Sequence, residues 1–205
     1  ELPAARAELV QFITDLNTKT GAAFQTWIEQ KMDVPFFLRT YATSVMLGMW
    51  DDYWVNGNNF YFYFAPNGKA YFIPYDYDNT LGTSQIIQNS GTQNPLTWGN
   101  MTQRPLITKV LAIPQYATMY KNYITELNNP NNNYFHTIKS TARIQAWQNK
   151  ISPFVSNDTG EDMIIEDRPA PWGNQPNYRV KSGNIQGGAN GPANYFASRR
   201  STIPW

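Results

Sequence analysis

Two aromatic runs on either side of an asparagine–glycine pair constrain this chain more than any other feature. Phe60-Tyr61-Phe62-Tyr63-Phe64 and Ala70-Tyr71-Phe72-Ile73-Pro74-Tyr75 flank Ala65-Pro66-Asn67-Gly68-Lys69. Aromatic and β-branched residues suit strands and Asn-Gly suits a reversal, so the segment reads as an antiparallel hairpin. Pro66 cannot donate a ladder hydrogen bond, which favours a type I turn with a glycine bulge at Gly68 over a two-residue turn and leaves the register open by one residue. Both faces of the runs are apolar, so the ribbon is expected to be buried on both sides.

Mirroring the hairpin about its turn sets either Asn58 or Asn59 opposite Asp76. Facing residues have Cβ atoms about 4.5–5.5 Å apart. An acid and an amide oxygen at that separation can share one hard cation, since Mg²⁺ takes oxygen ligands at about 2.1 Å and keeps water or phosphate oxygens for the rest. Asp51 and Asp52 lie just upstream, where one of them could orient a hydroxyl and accept its proton. Acid in a loop, amide at the start of a hairpin, acid at its end is the order of the catalytic loop and metal aspartate in protein kinases.

The surrounding chain reads as mostly helical. Leu9, Val10, Ile13 and Leu16 recur at helical steps between Leu2 and Asn17, and a second helix runs from Gly21 to Met32 with Thr20 as its cap. A third starts after Asp33 with Pro35 in its first turn, buries Val34, Phe37, Leu38, Tyr41, Val45 and Met46, and leads to Trp50-Asp51-Asp52. Further helices are expected over Pro105–Leu111, Gln115–Leu127, Thr137–Ile151 and Ala193–Arg200. In the second of these, Tyr116, Met119, Tyr120, Tyr123 and Leu127 form a core stripe. A segment from about Pro169 to Pro192, rich in Pro, Gly and Asn, lacks apolar periodicity; its Gly183, Gly187, Gly188 and Gly191 are loop glycines, because no Gly-Lys-Ser/Thr follows.

Composition closes off other chemistry. The chain has 205 residues, enough for one domain or one large lobe, no cysteine, and a single histidine, His136. Thiol nucleophiles, disulfides, zinc clusters and two-histidine sites are thereby excluded, and any metal must be oxygen-ligated. His136 itself reads as exposed or as a helix cap. A net charge of +1 with 15% charged residues gives no field to draw in nucleic acid. No apolar stretch approaches the roughly 20 residues of a membrane span. The triplets Asn100-Met101-Thr102 and Asn157-Asp158-Thr159 are chance glycosylation patterns at this asparagine content. The chain opens on Glu1 rather than methionine, and so reads as a trimmed piece.

The run Met46-Leu47-Gly48-Met49-Trp50-Asp51-Asp52-Tyr53, then Asn58-Asn59-Phe60-Tyr61-Phe62-Tyr63, then Phe72-Ile73-Pro74-Tyr75-Asp76-Tyr77-Asp78-Asn79-Thr80-Leu81-Gly82, resembles the signature of the CotH family of atypical kinases. Arg104-Pro105-Leu106-Ile107 and the stretch Asn194-Tyr195-Phe196 to Arg199-Arg200 also resemble that family's helical portion. The resemblance implies an α+β, mostly α fold: residues 1–205 as one domain, the C-terminal lobe of a protein-kinase-like fold, with the buried hairpin carrying the metal site. It further implies use of ATP and Mg²⁺ to phosphorylate serine or threonine of a coat, envelope or secreted protein at the spore coat, the cell surface or outside the cell. Carried over by motif, Asp51 is the first choice for the catalytic aspartate and Asp52 the second. Asn59 and Asp76 hold metal with Asp78 assisting, and Asn59, Asp76 and Tyr75 line the cofactor. Tyr75 stands where the family's Pro-Trp-Asp motif has tryptophan, a change that keeps an aromatic wall. Asp51 precedes Asn59 by eight residues, where ordinary kinases have five. No glycine-rich nucleotide loop or strand-borne lysine precedes these motifs, so an N-terminal lobe of the same protein is the expected partner, and this portion alone should be inactive.

Two further readings compete. A non-catalytic kinase-like module could recognise a protein or glycan, which a carbohydrate platform built from Trp50, Trp54 and Trp98 would support. Asp76 and Asp78 could act as a glycosidase pair. Arg199 and Arg200 read as a solvated helix end.

Overall fold

The computed structural model describes residues 2–82, 90–151, 192–203 and 205. Along them run α1 (Leu2–Thr18), α2 (Gly21–Lys31), α3 (Val34–Leu47), β1 (Phe60–Phe64), β2 (Ala70–Pro74), α4 (Pro105–Leu111), α5 (Pro114–Asn128), α6 (Thr137–Ile151) and α7 (Pro192–Ser201). Short 3-10 turns lie at Ser90–Thr92 and Pro130–Asn132. The fold is mostly α with one two-stranded antiparallel sheet. The triplet at Asn157, the four loop glycines from Gly183 to Gly191 and, Pro192 apart, the segment from Pro169 fall outside the described residues.

The chain divides into two compact units. The first comprises Glu1–Ser44, Asp51–Asp76 and Thr97–Ile124; the second comprises Val45–Trp50, Tyr77–Leu96 and Thr125–Trp205.

In the first unit, α3 begins as its sequence dictates. Asp33 Oδ1 accepts the Phe36 N–H at 3.0 Å, an N-cap that satisfies a donor the helix cannot pair itself. Its expected stripe, from Val34 to Met46, is buried throughout. Thr20 caps α2 by position but makes no side-chain cap bond. The α1 stripe needs correction: Leu9, Val10 and Ile13 are exposed, while Phe12 and Leu16 are buried. Phe12 decides the rotation of the helix, because its ring packs on Trp27, Phe62 and Phe64 at 5.2–5.7 Å between centroids, and a large aromatic outweighs single aliphatics in buried area. Lys109 Nζ of α4 donates to the carbonyls of Leu16, Asn17 and Lys19 and so closes the C-terminal end of α1. On α5, Tyr116 and Tyr120 are buried together with Ile124, whereas Met119, Tyr123 and Leu127 are half-buried.

The hairpin pairs Phe60 with Pro74, Phe62 with Phe72 and Phe64 with Ala70. Gly68 N–H donates to Ala65 O at 2.9 Å, Ala65 N–H to Lys69 O at 2.8 Å, and Gly68 has φ +79. This is the expected turn with a glycine bulge, and it fixes the register. The expectation of burial on both sides does not hold. Phe72 is buried among Phe37, Tyr41, Tyr53, Phe60 and Phe62, whereas Tyr61, Tyr63 and Ile73 are exposed on the other face. Two strands alone cannot cover two faces, and the tyrosines keep their hydroxyls in water.

In the second unit, α7 closes over the end of α3 and the Ser90–Thr92 turn. Arg199 is fully buried rather than solvated, and its guanidinium donates to the carbonyls of Gln93, Val45 and Ser90 at 2.7–2.9 Å. Arg200 is half-buried. Tyr195 Oη donates to Met46 O at 2.7 Å. Gly48 has φ +69, and a Cβ there would lie 2.5 Å from Tyr195 Oη and 2.8 Å from Ser90 Oγ, so both conformation and space require glycine. His136 caps α6, accepting the Lys139 N–H on Nδ1 at 3.3 Å.

Candidate functional site

The site grows from the loop between α3 and β1. Asp52 is its internal anchor. Oδ2 accepts the Tyr41 hydroxyl at 3.0 Å and Oδ1 accepts the Val55 N–H at 2.8 Å, while its carbonyl accepts the Gly57 and Asn58 N–H groups at 2.7 and 3.1 Å. The side chain is 3% exposed. Burial pushes its carboxyl up to about 7, against the pull of the hydrogen bonds from the Val55 N–H and the Tyr41 hydroxyl. A group so enclosed can shape the loop but has no solvent face on which to meet a substrate.

Asp51 has the opposite surroundings. Half-buried, its carboxylate accepts from the amide nitrogens of three asparagines: Asn56, Asn58 at 3.4 Å and Asn59 at 3.0 Å. Amide donors hold the carboxylate in place without neutralising it. Among the described residues neither Asp51 nor Asp76 enters an ion pair. Asn58 is one of the two asparagines expected opposite Asp76, whereas Asn56 is a further partner whose signal is the density of Asn56-Gly57-Asn58-Asn59.

Asn59 is buried at the mouth of the hairpin. Its carbonyl accepts the Tyr75 N–H at 3.1 Å, so the register sets Asn59 opposite Tyr75 and, continued by one residue, Asn58 opposite Asp76. Asn59 and Asp76 have φ +53 and +57, a left-handed conformation in which Asn and Asp are the favoured non-glycine residues. The ladder therefore ends at both, and Asp76 is exposed. Tyr75 stacks on Tyr61 with centroids 4.7 Å apart. Desolvation, then Tyr61, then the carboxylates of Asp76 and Asp51 raise the Tyr75 hydroxyl, which puts both acids within electrostatic reach of one phenol.

Asp78 lies in the second unit and accepts the Asn79 amide at 2.9 Å. Trp50, Trp54 and Trp98 are each buried, which removes the carbohydrate platform: no ring face is left for a sugar. Among the described residues no group of three His, Cys, Asp or Glu is placed to hold a metal. The donors at the hairpin mouth are instead two unpaired carboxylates and an amide whose nitrogen is committed to Asp51. Such an all-oxygen set fits Mg²⁺, which is usually held by one or two carboxylates with water and phosphate oxygens completing its shell.

Residues 3–203 match the family described as CotH kinase protein. The chain belongs to the CotH kinase family. Membership makes this a kinase-like protein, and the match covers both units of the CotH chain. Neither the curated proteins nor the solved structures contain a match. No described helix of this CotH member is long and apolar enough to cross a membrane.

Proposed function

We propose that this chain is the catalytic and metal-binding half of a protein kinase, a kinase-like C-terminal lobe that transfers the γ-phosphoryl group of ATP to a serine or threonine of a coat, envelope or secreted protein. The observation that carries the reading is the carboxylate of Asp51, fixed by three amides and without an ion pair among the described residues, in the loop that leads into the hairpin ending at Asp76. Asp51 aligns the acceptor hydroxyl and takes its proton as the oxygen–phosphorus bond forms and the bond to the β-phosphate oxygen breaks. Asn59 and Asp76 would supply oxygen ligands to Mg²⁺. The ion, when bound, neutralises charge on the phosphates. The stacked Tyr75 and Tyr61 offer an aromatic wall beside the cofactor. Asp52 serves the loop rather than the reaction. The glycine-rich loop and lysine that grip the phosphates are expected on an N-terminal lobe of the same protein, and the family name supports action at the spore coat or cell surface.

The test is incorporation of labelled phosphate from ATP and Mg²⁺ by the full-length protein, into itself or a co-expressed substrate. Asp51→Asn is expected to lower the rate by about 10²–10⁴, and Asp76→Asn to abolish transfer at ordinary Mg²⁺. Undiminished incorporation by Asp76→Asn would remove its metal role. The exposed Tyr61–Tyr63–Ile73 face of the hairpin favours one second reading, a non-catalytic module that recognises protein or glycan. Partner binding unchanged by Asp51→Ala and Asp76→Ala, with no transfer detected, would decide for it.

A further inference from the structure

Between α1, β1 and the start of α4 the first unit contains a groove of 780 Å³, within the range of small-molecule sites. Its walls are apolar: Leu9 and Ile13 from α1, Phe60 and Phe62 from β1, Pro105 and Leu106 from α4. Leu9 and Ile13, one turn apart, stay 38% and 47% exposed. Among the described residues no acidic residue lines the groove, and the two charged ones that do are both arginines, Arg6 and Arg104.

Arg104 gives the groove a polar end. Its Nη1 donates to Gln103 O at 3.1 Å, and its Nη2 packs against Gly57, where no Cβ would fit. Its Nε is sequestered and makes no hydrogen bond among the described residues. Buried donors are normally paired, and a guanidinium presents its donors as a planar fork suited to a carboxylate. An uncharged hydrophobe would leave the positive charge of Arg104 on the groove wall unanswered. A peptide would bring backbone amides against walls that have nothing to pair with them.

We propose that the groove binds an amphipathic monoanion, its apolar chain lying along Leu9, Ile13, Phe60 and Phe62 and its carboxylate meeting Arg104. Tyr53 and Gly57 also wall the groove and belong to the loop that carries Asp51, so an occupant touches that loop directly. The inference does not depend on phosphoryl transfer, and its test does not measure it.

The probe is dansyl-undecanoic acid, titrated by fluorescence beside the matching alcohol. The acid is expected to bind saturably and at least about tenfold more tightly than the alcohol, the margin expected of a charge-assisted pair. Arg104→Gln should erase that preference while leaving alcohol binding, a ratio that general damage to the fold would not produce. Ile13→Trp, made at an exposed position, should fill the groove and weaken both probes. Absence of saturable binding, equal affinities for acid and alcohol, or a preference that survives Arg104→Gln overturns the proposal. So does binding that is lost in a longer natural polypeptide, which would assign the groove to the protein's own chain. Sedimentation of the same samples covers the remaining occupant: a dimer that Ile13→Trp dissociates would assign the face to a second copy.

Discussion

Because Asp52 is 3% exposed and Asp51 is half-buried among amide donors, removing each carboxylate should read out differently. Asp52→Ala orphans the Tyr41 hydroxyl and the Val55 N–H, and is expected to cost about 2–4 kcal/mol in urea denaturation. Asp51→Ala should move stability by less than about 1 kcal/mol, since its amide donors can turn to water. Equal losses would contradict the division of labour between them. Asp52 also predicts a pH dependence. Its carboxyl titrates at about 7 in the fold against an ordinary value of 3.8, so between those limits the native state holds a proton that the unfolded chain has released. The stability it contributes is greatest below about pH 4 and declines by up to about 1.4 kcal/mol per pH unit as the pH rises toward 7. Asp52→Asn cannot ionise. Relative to wild type, the variant should gain ground between about pH 4 and about pH 7; parallel curves for the two proteins would reject the raised value.

At the scale of the element, the hairpin sorts its aromatics by face. Phe72→Ala removes the ring around which five others pack, and should cost about 3–5 kcal/mol. Tyr63→Ala on the open face loses little more than a stacking contact with Tyr71, about 0.5–1.5 kcal/mol. Gly68→Ala meets no atom within 4 Å, but forces a side chain onto φ +79, at about 1–2 kcal/mol. Thermal melts of the three variants should rank in that order of severity: Phe72, then Gly68 and Tyr63 together. The strict alternation Phe-Tyr-Phe-Tyr-Phe already stated which face turns inward. Treating both residue types as equally apolar hid it, because tyrosine's hydroxyl was not weighed.

Over the whole molecule, legibility followed sequence distance. α4 and α6 have the bounds their apolar spacing and flanking residues imply, and α3 was read to its cap, because those signals are local. The hairpin mouth was legible through register, one turn fixing the partners of residues up to 16 positions apart, from Phe60 and Pro74 out to Asn59 and Tyr75. The surroundings of Arg199 were not, because its carbonyl partners lie 106 to 154 residues away and a basic pair at a helix end looks the same whether solvated or enclosed. Arg199→Met removes the guanidinium bonds to three carbonyls, of which Val45 O keeps the Gly48 N–H, and is expected to lower the unfolding midpoint by the equivalent of about 3 kcal/mol. Hydrogen exchange should then rise at α7, at Ser90–Gln93 and at the last turn of α3. An unchanged exchange pattern would mean that the guanidinium is not holding them.

The clamp of Tyr195 and Arg199 on the last turn of α3 has a temporal side. The carbonyls of Val45 and Met46 accept from Arg199 and Tyr195, residues synthesised about 150 positions later, so on the ribosome the last turn of α3 lacks these two bonds until α7 has emerged. A nascent chain can form its hairpin early, because that reversal is local. It gains the α7 clamp on the last turn of α3 only afterwards.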